Sequence, residues 1–267
     1  MTRGFQRLAF LSCLVALIYP LLFSTYAFGQ EPRSTPMTAV SSLDSDLTLE
    51  SIASNVEATQ NNLELEDEIK KQILSQFAKA EQALRDFASA RSRTEELNLM
   101  ASTADQEESR LESELSSLTQ STFTIPSNAK LKELDDLLRN AVDSLSDLET
   151  EVKTLADEMP ERTRRAAELP AEIAEYRRLT EELQSQAKAT PPAGERRELT
   201  NARRTRIASE VLLYAQRIAE SEAEQAAYTA TNGLVPKQEN LAKKRVEEQR
   251  KYITELNRRL DALSAKE

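Results

Sequence analysis

From residue 131 to residue 159 the apolar side chains fall at Leu131, Leu134, Leu138, Ala141, Leu145, Leu148, Val152, Leu155 and Met159. The spacing alternates three and four without a break. That is a heptad seam, with Leu131, Leu138, Leu145, Val152 and Met159 at a and Leu134, Ala141, Leu148 and Leu155 at d. A strand would repeat every second residue, and this stretch does not. At 1.5 Å per residue it makes roughly 43 Å of rod. Each large apolar side chain gains about 1.5–3 kcal/mol on burial, so the seam needs a partner. Leu137 and Val142 widen the stripe beyond a and d, which predicts more than one neighbour.

Composition points the same way. The chain has 267 residues, of which 30% are charged, with Gly 4, Trp 0 and His 0. Glycine and aromatics are too scarce for a turn-rich β protein, and the mixture fits long helices with thin apolar seams. Without histidine, a His general base and a His metal ligand are both excluded. Residues 41–160 hold 26 acids and 11 bases, whereas residues 161–267 hold 18 and 21. The bases interleave with acids and form no patch, which argues against nucleic-acid binding.

Residues 1–29 read as a signal peptide, with an uncleaved anchor, for which the apolar run is short, as the alternative. Arg3 and Arg7 give a positive n-region, and residues 8–23 an apolar core interrupted by Pro20. Ala27-Phe28-Gly29 then places small residues for cleavage before Gln30. Cys13, the single cysteine, lies inside this leader, and too few apolar residues precede it for a lipoprotein box. A processed chain would therefore carry neither disulfide nor thiol nucleophile. Residues 30–45, rich in Pro, Ser and Thr, read as a flexible linker, and the helical domain as residues 46–267.

Within that domain a short helix over 43–56 is expected, with Leu49, Ile52 and Val56 on one side. Long helices follow at about 65–118, 128–188, 195–231 and 237–265. The first has a stripe of Ile69, Ile73, Phe77, Ala80, Leu84 and Phe87. Its stripe weakens through Arg91, Thr94 and Asn98 and resumes at Leu97, Ala104, Leu111, Leu115 and Leu118 in a shifted phase, which predicts a local change of packing partner or of winding. Pro126 ends it, and Ser127 or Asn128 caps the next helix. The second helix keeps its phase through Ala166, Leu169, Ile173, Tyr176 and Leu183. Arg162 interrupts that phase at d, and Pro160 and Pro170 fall inside it. The preserved phase favours one bent rod over two separate helices. The stretch 188–194 ends it. The third helix has its seam at Ile207, Val211, Tyr214, Ile218 and Tyr228. Asn232-Gly233-Leu234-Val235-Pro236 then reads as an antiparallel hairpin, with Gly233 in the left-handed region and Leu234 packing back. The fourth helix has its seam at Ala242, Val246, Ile253, Leu256, Leu260 and Leu263. The fold class is all-α: an elongated antiparallel helical bundle or coiled coil of about four long helices.

No catalytic, cofactor-binding or metal-binding residue is predicted. The densest acid groups, Glu64, Glu66, Asp67 and Glu68, and Asp135 with Asp136, fan outward on a helix and do not converge on one point. There is no phosphate loop, nucleophile elbow or zinc-ligand set. Tyr176, Tyr214, Tyr228 and Tyr252 lie on or beside seams as core or edge residues. Charges flanking the seams suggest that Asp135, Glu149, Glu151 and Glu158 face Lys243, Arg245, Arg250 and Arg259 on a neighbouring helix. The competing reading is that all of them only solvate helix faces.

Two stretches together carry a family resemblance. One is Asp67-Glu68-Ile69-Lys70-Lys71-Gln72-Ile73-Leu74-Ser75-Gln76-Phe77-Ala78-Lys79-Ala80, followed by a long Ala/Glu/Leu helix. The other is Arg196-Arg197-Glu198-Leu199-Thr200-Asn201-Ala202-Arg203-Arg204-Thr205-Arg206-Ile207-Ala208-Ser209-Glu210, then Asn232-Gly233 and a helix ending Leu256-Asn257-Arg258-Arg259-Leu260. In this order they resemble the periplasmic N-terminal "porin" domain of large MscS-like mechanosensitive channels of the KefA type, over about residues 50–267. The resemblance implies a non-catalytic, exported, periplasmic module, associated with the inner membrane, acting in envelope contact or channel assembly. Its partners would be proteins met through the helical seams, either another copy or a channel subunit, near membrane or cell wall. Such channels continue into membrane helices, a pore helix and a cytoplasmic β domain, none of which follows the leader here, so the expectation is the periplasmic part of such a channel, encoded alone, truncated or split from its downstream half. The alternative is a free periplasmic coiled-coil scaffold or chaperone unrelated to channels.

Overall fold

The structure, a computed structural model, describes residues 47–118, 124–126 and 128–265. The expected leader (1–29) and linker (30–45) lie outside the described residues. Among those described, five helices follow one another: α1 Leu49–Asn61, α2 Asp67–Leu118, α3 Leu131–Lys188, α4 Arg197–Ala230 and α5 Leu234–Ser264. The all-α class is as read from the periodicity, and no strand occurs among the described residues.

Local chemistry sets the ends. Thr48 starts α1: its Oγ1 accepts from the Ser51 amide and the Ser51 hydroxyl accepts from the Thr48 amide, both at 3.1 Å, a reciprocal cap. Helix α1 is thus shifted relative to the expected 43–56. Ile52 faces inward and Leu49 stays exposed. Helix α3 starts at Leu131, later than expected, with Lys130 and not Asn128 at its N-cap position; Ser127 lies outside the described residues. Instead the Glu133 carboxylate accepts from the Lys130 amide at 3.0 Å. Gly194, at φ +83°, turns the chain from α3 into α4, a conformation that costs glycine little.

Helix α3 is one rod through Pro160 and Pro170. Burial of Leu169 and Ile173 offsets the hydrogen bonds the prolines omit. At roughly 87 Å it spans the length of α4 and much of α5.

The expected hairpin at Asn232-Gly233 is not formed. Gly233 has right-handed helical dihedrals, φ −79° and ψ −17°, and α4 and α5 do not fold back on each other. They run end to end. Along α2 the cross-contacts are Thr94 with Gln216, Glu108 with Lys237 and Glu114 with Arg245. Both numbers rise together, so α2 lies parallel to one α4–α5 rod. Along α3 they are Arg177 with Glu222, Arg162 with Thr231 and Glu149 with Arg250. There one number falls as the other rises, so α3 is antiparallel to that rod. The reason is apolar. Leu234 and Val235, straight after the turn, are buried, and Leu234 and Leu241 cluster with Ala104 and Leu111 of α2. Reversing the chain at Gly233 would take these residues away from α2. Pro236 sits in the first turn of α5, where a missing N–H is harmless.

Among the described residues α2 and α3 make no helix–helix contact; each packs on the α4–α5 rod. Ile125, in the connection between them, is buried with Leu134, Ala141 and Leu256, while Arg259 donates to the Ile125 and Pro126 carbonyls at 3.0 and 3.3 Å. The connection thereby ties the start of α3 to the end of α5. The main apolar cluster lies at the far end, where Ile52, Leu65, Ile73, Phe77, Ala80 and Leu84 close around Ala202. The partner of α2 does change from α4 to α5, but past the phase shift: Leu97, which opens the resumed stripe, still packs on Ala223 and Ala227 of α4, and α5 takes over at Ala104 and Leu111. The polar stretch at the shift meets α4 as well, through Gln216, which donates to the Thr94 hydroxyl at 2.9 Å. Val142 is 49% exposed, so the widened stripe at that point does not have the second neighbour expected of it.

Candidate functional site: the charged cluster between α3 and the α4–α5 junction

The interruption of the α3 heptad at Arg162 has a structural counterpart. Arg162 and Arg165, three residues apart and so on one helix face, both reach the last turns of α4. Arg165 donates through Nε to both Glu224 carboxylate oxygens at 3.1 and 3.2 Å and through Nη2 to Oε2 at 2.9 Å. The same Nη2 lies 2.8 Å from Glu172 on its own helix. Tyr228, one turn beyond Glu224, donates its hydroxyl to Glu224 Oε1 at 2.8 Å. Arg162 lies over the Tyr228 ring, 5.6 Å from its centroid, and donates to the Thr231 hydroxyl at 2.9 Å. Glu158 holds Arg162 from one turn earlier at 2.6 Å. Thr231 is 2% exposed, and its own hydroxyl donates to the Ala227 carbonyl at 2.7 Å. A guanidinium therefore sits at the carbonyl end of α4, where the helix dipole favours a cation.

Electrostatics follow from this geometry. Burial pushes the Tyr228 hydroxyl up to about 12, helped by the Glu224 carboxylate it donates to. Burial opposes the charge on Glu224, but the hydrogen bonds from Arg165 and Tyr228 outweigh it and hold the carboxyl below its usual range. Arg165 is raised, chiefly by its bonds to Glu224. Further along, Tyr176 of α3 stacks on Tyr214 of α4, with centroids 5.9 Å apart, and donates to Glu172 at 3.0 Å. These tyrosines, with Tyr252, are half-buried, the seam-edge position expected of them.

Fixed charges paired this way orient two rods. The acid groups singled out in the sequence, Glu64 to Glu68 and Asp135 with Asp136, are exposed. Among the described residues no group of three or more His, Cys, Asp or Glu converges to hold a metal ion. The flanking-charge expectation is met at one point. Glu149 pairs with Arg250 across α3 and α5 at 2.7 Å. Lys243 instead pairs with Glu239, Arg245 with Glu114 of α2, and Arg259 with Glu255. Asp135 and Glu158 pair with Arg139 and Arg162 on their own helix.

The sequence over residues 55–267 matches the family described as the mechanosensitive ion channel porin domain. The chain belongs to that family. No curated protein and no solved structure matches it. The porin-domain match covers nearly the whole described bundle and both stretches that carried the resemblance. It is a channel-associated domain family and not an enzyme family, and in channel proteins the domain is periplasmic. No helix among the described residues is long and apolar enough to cross a membrane.

Proposed function

We propose that this porin-domain chain is a non-catalytic periplasmic module, exported by residues 1–29, tethered by residues 30–45, and working through protein contacts in channel assembly or in the cell envelope. The family match over residues 55–267 carries this reading. The architecture supports it: long parallel and antiparallel rods, stitched by cross-helix ion pairs, expose much side surface per residue and suit lateral contact. The partner is a channel subunit or a second copy of the chain. Its experiment is cross-linking in intact cells, with a photo-reactive amino acid at exposed Val142, followed by mass spectrometry of the adducts. Adducts with a membrane-embedded MscS-like subunit, or with the chain itself, are expected. Adducts confined to soluble envelope proteins would replace this reading with a free scaffold or chaperone. N-terminal sequencing of the exported protein checks the leader, with Gln30 as the expected first residue.

A further inference from the structure

Two of the three rods are interrupted at one level. In the α4–α5 rod the regular ladder lapses over three residues. The Asn232 amide bonds back only to Thr229 and the Leu234 amide only to Thr231, at 3.5 and 3.0 Å. Pro236 has no N–H to give to the Asn232 carbonyl. In α3, Pro160 likewise leaves the Ala156 carbonyl without its helical donor. The two lapses lie side by side, because Arg162, half a turn past Pro160, donates to Thr231 at 2.9 Å. Helix α2 alone runs unbroken past this level, and there Glu108 lies 3.4 Å from where a Cβ on Gly233 would be.

One cation stands nearest the junction on each side, with Arg165–Glu224 and Arg245–Glu114 farther out. On the α4 side Arg162 grips Tyr228 and Thr231 from α3. On the α5 side Lys237 pairs with both Glu108 and Glu112 of α2. A helix bends most readily where its ladder is missing, and coincident gaps in two packed rods let them bend together. From this we infer that the α4–α5 junction is a bending joint. Helix α2 is its spine, and the Arg162 and Lys237 contacts are latches that hold the rod straight. Releasing them lets α5, with the first half of α3, swing against α4 and the second half of α3. The inference concerns the chain's own mechanics and stands or falls independently of the partner.

Paired spin labels test it on the full chain, in a Cys13→Ser background. Ala226→Cys and Lys251→Cys, both exposed, flank the junction; a straight rod sets them roughly 38 Å apart. Asn201→Cys and Ala226→Cys, also exposed, span the same number of residues within α4. With Arg162→Ala and Lys237→Ala together, the junction pair should broaden and shorten by at least about 5 Å while the α4 pair holds. An unchanged junction pair, or equal broadening of both pairs, overturns the joint. Should that double variant lose helicity, hydrogen exchange on the unaltered chain decides. Amides of residues 232–235 should exchange at least about tenfold faster than those at 207–212 and 246–251, and equal protection overturns the joint.

Discussion

The stripe from Ile73 to Leu84 on α2 and the seam from Leu145 to Met159 on α3 are spelled alike, yet they are buried differently. Ile73, Phe77, Ala80 and Leu84 are buried, Ile73 to 1% exposure. Leu145, Leu148, Val152, Leu155 and Met159 are all only half-buried. The difference lies in the neighbours. Helix α2 is walled by α1 and α4 where its stripe runs, whereas α3 meets the α4–α5 rod alone. Two neighbours enclose the whole α2 stripe; the single rod beside α3 buries Leu169, Ile173 and Leu183 but leaves the stretch from Leu145 to Met159 half open. What α3 lacks in burial it partly replaces with polar contacts: Arg165 to Glu224, Arg162 to Thr231, and Gln249 Nε2 to the Ala141 carbonyl at 2.9 Å.

The largest effect should come from truncating the enclosed stripe. Ile73→Ala is expected to cost about 2–4 kcal/mol and Leu148→Ala about 1 kcal/mol, since a half-exposed site leaves little cavity. Thermal unfolding of the two variants checks this, and equal losses would break the contrast.

Charge should matter more for α3 than for α2. Arg165→Ala leaves the Glu224 carboxylate, with its side chain 14% exposed, without its main cation, at a cost of about 1–3 kcal/mol. Arg165→Lys should recover only part of this, because one ammonium cannot reproduce the forked contact. Arg85→Ala on α2, which removes an exposed pair with Glu81, should change unfolding by no more than about 0.5 kcal/mol.

The same cluster predicts two pH limits. The Tyr228 hydroxyl is raised to about 12, above an unfolded value of about 10. Its stabilising contribution is therefore complete below pH 10 and lost as pH rises toward 12. Tyr228→Phe should remove that alkaline slope from the urea midpoint. Glu224 is lowered, so its contribution is present above the unfolded value of about 4.3 and is lost as pH falls through the depressed folded value. Glu224→Gln should flatten the acid limb.

The smallest effect is expected at the exposed Glu149–Arg250 pair, worth about 0–1 kcal/mol. Reversing Arg250 to Glu should lower the midpoint slightly, and adding Glu149→Arg should restore it. In 1 M salt, where the screening length is about 3 Å, both differences should vanish.

The site was only partly legible before the fold. Arg162 stood out as a polar residue at a heptad d position. Arg165, Glu224 and Thr231 did not, because a charge beside a seam reads the same whether it meets water or an opposing helix. The spacing of Glu224 and Tyr228 at i, i+4 was a usable signal, since it aligns an acceptor and a hydroxyl on one face. The long-range pairing that turns them toward α3 depends on register between rods.

Local sequence by itself pointed to the four long helices, with ends within about three residues of those observed, and to the continuity of α3 through two prolines; the short α1 lies about five residues later than its spacing suggested. Heptad spacing, breakers and caps act over one or two turns, and those interactions are complete within a segment. The tertiary structure alone decided that α4 continues into α5. Asn232-Gly233-Leu234-Val235-Pro236 is compatible with a reversal and with a short lapse in one rod. Burial of Leu234, Val235 and Leu241, with Leu234 and Leu241 against α2, selects the second. That choice rests on residues more than a hundred positions away in the chain, and no local signal carries it.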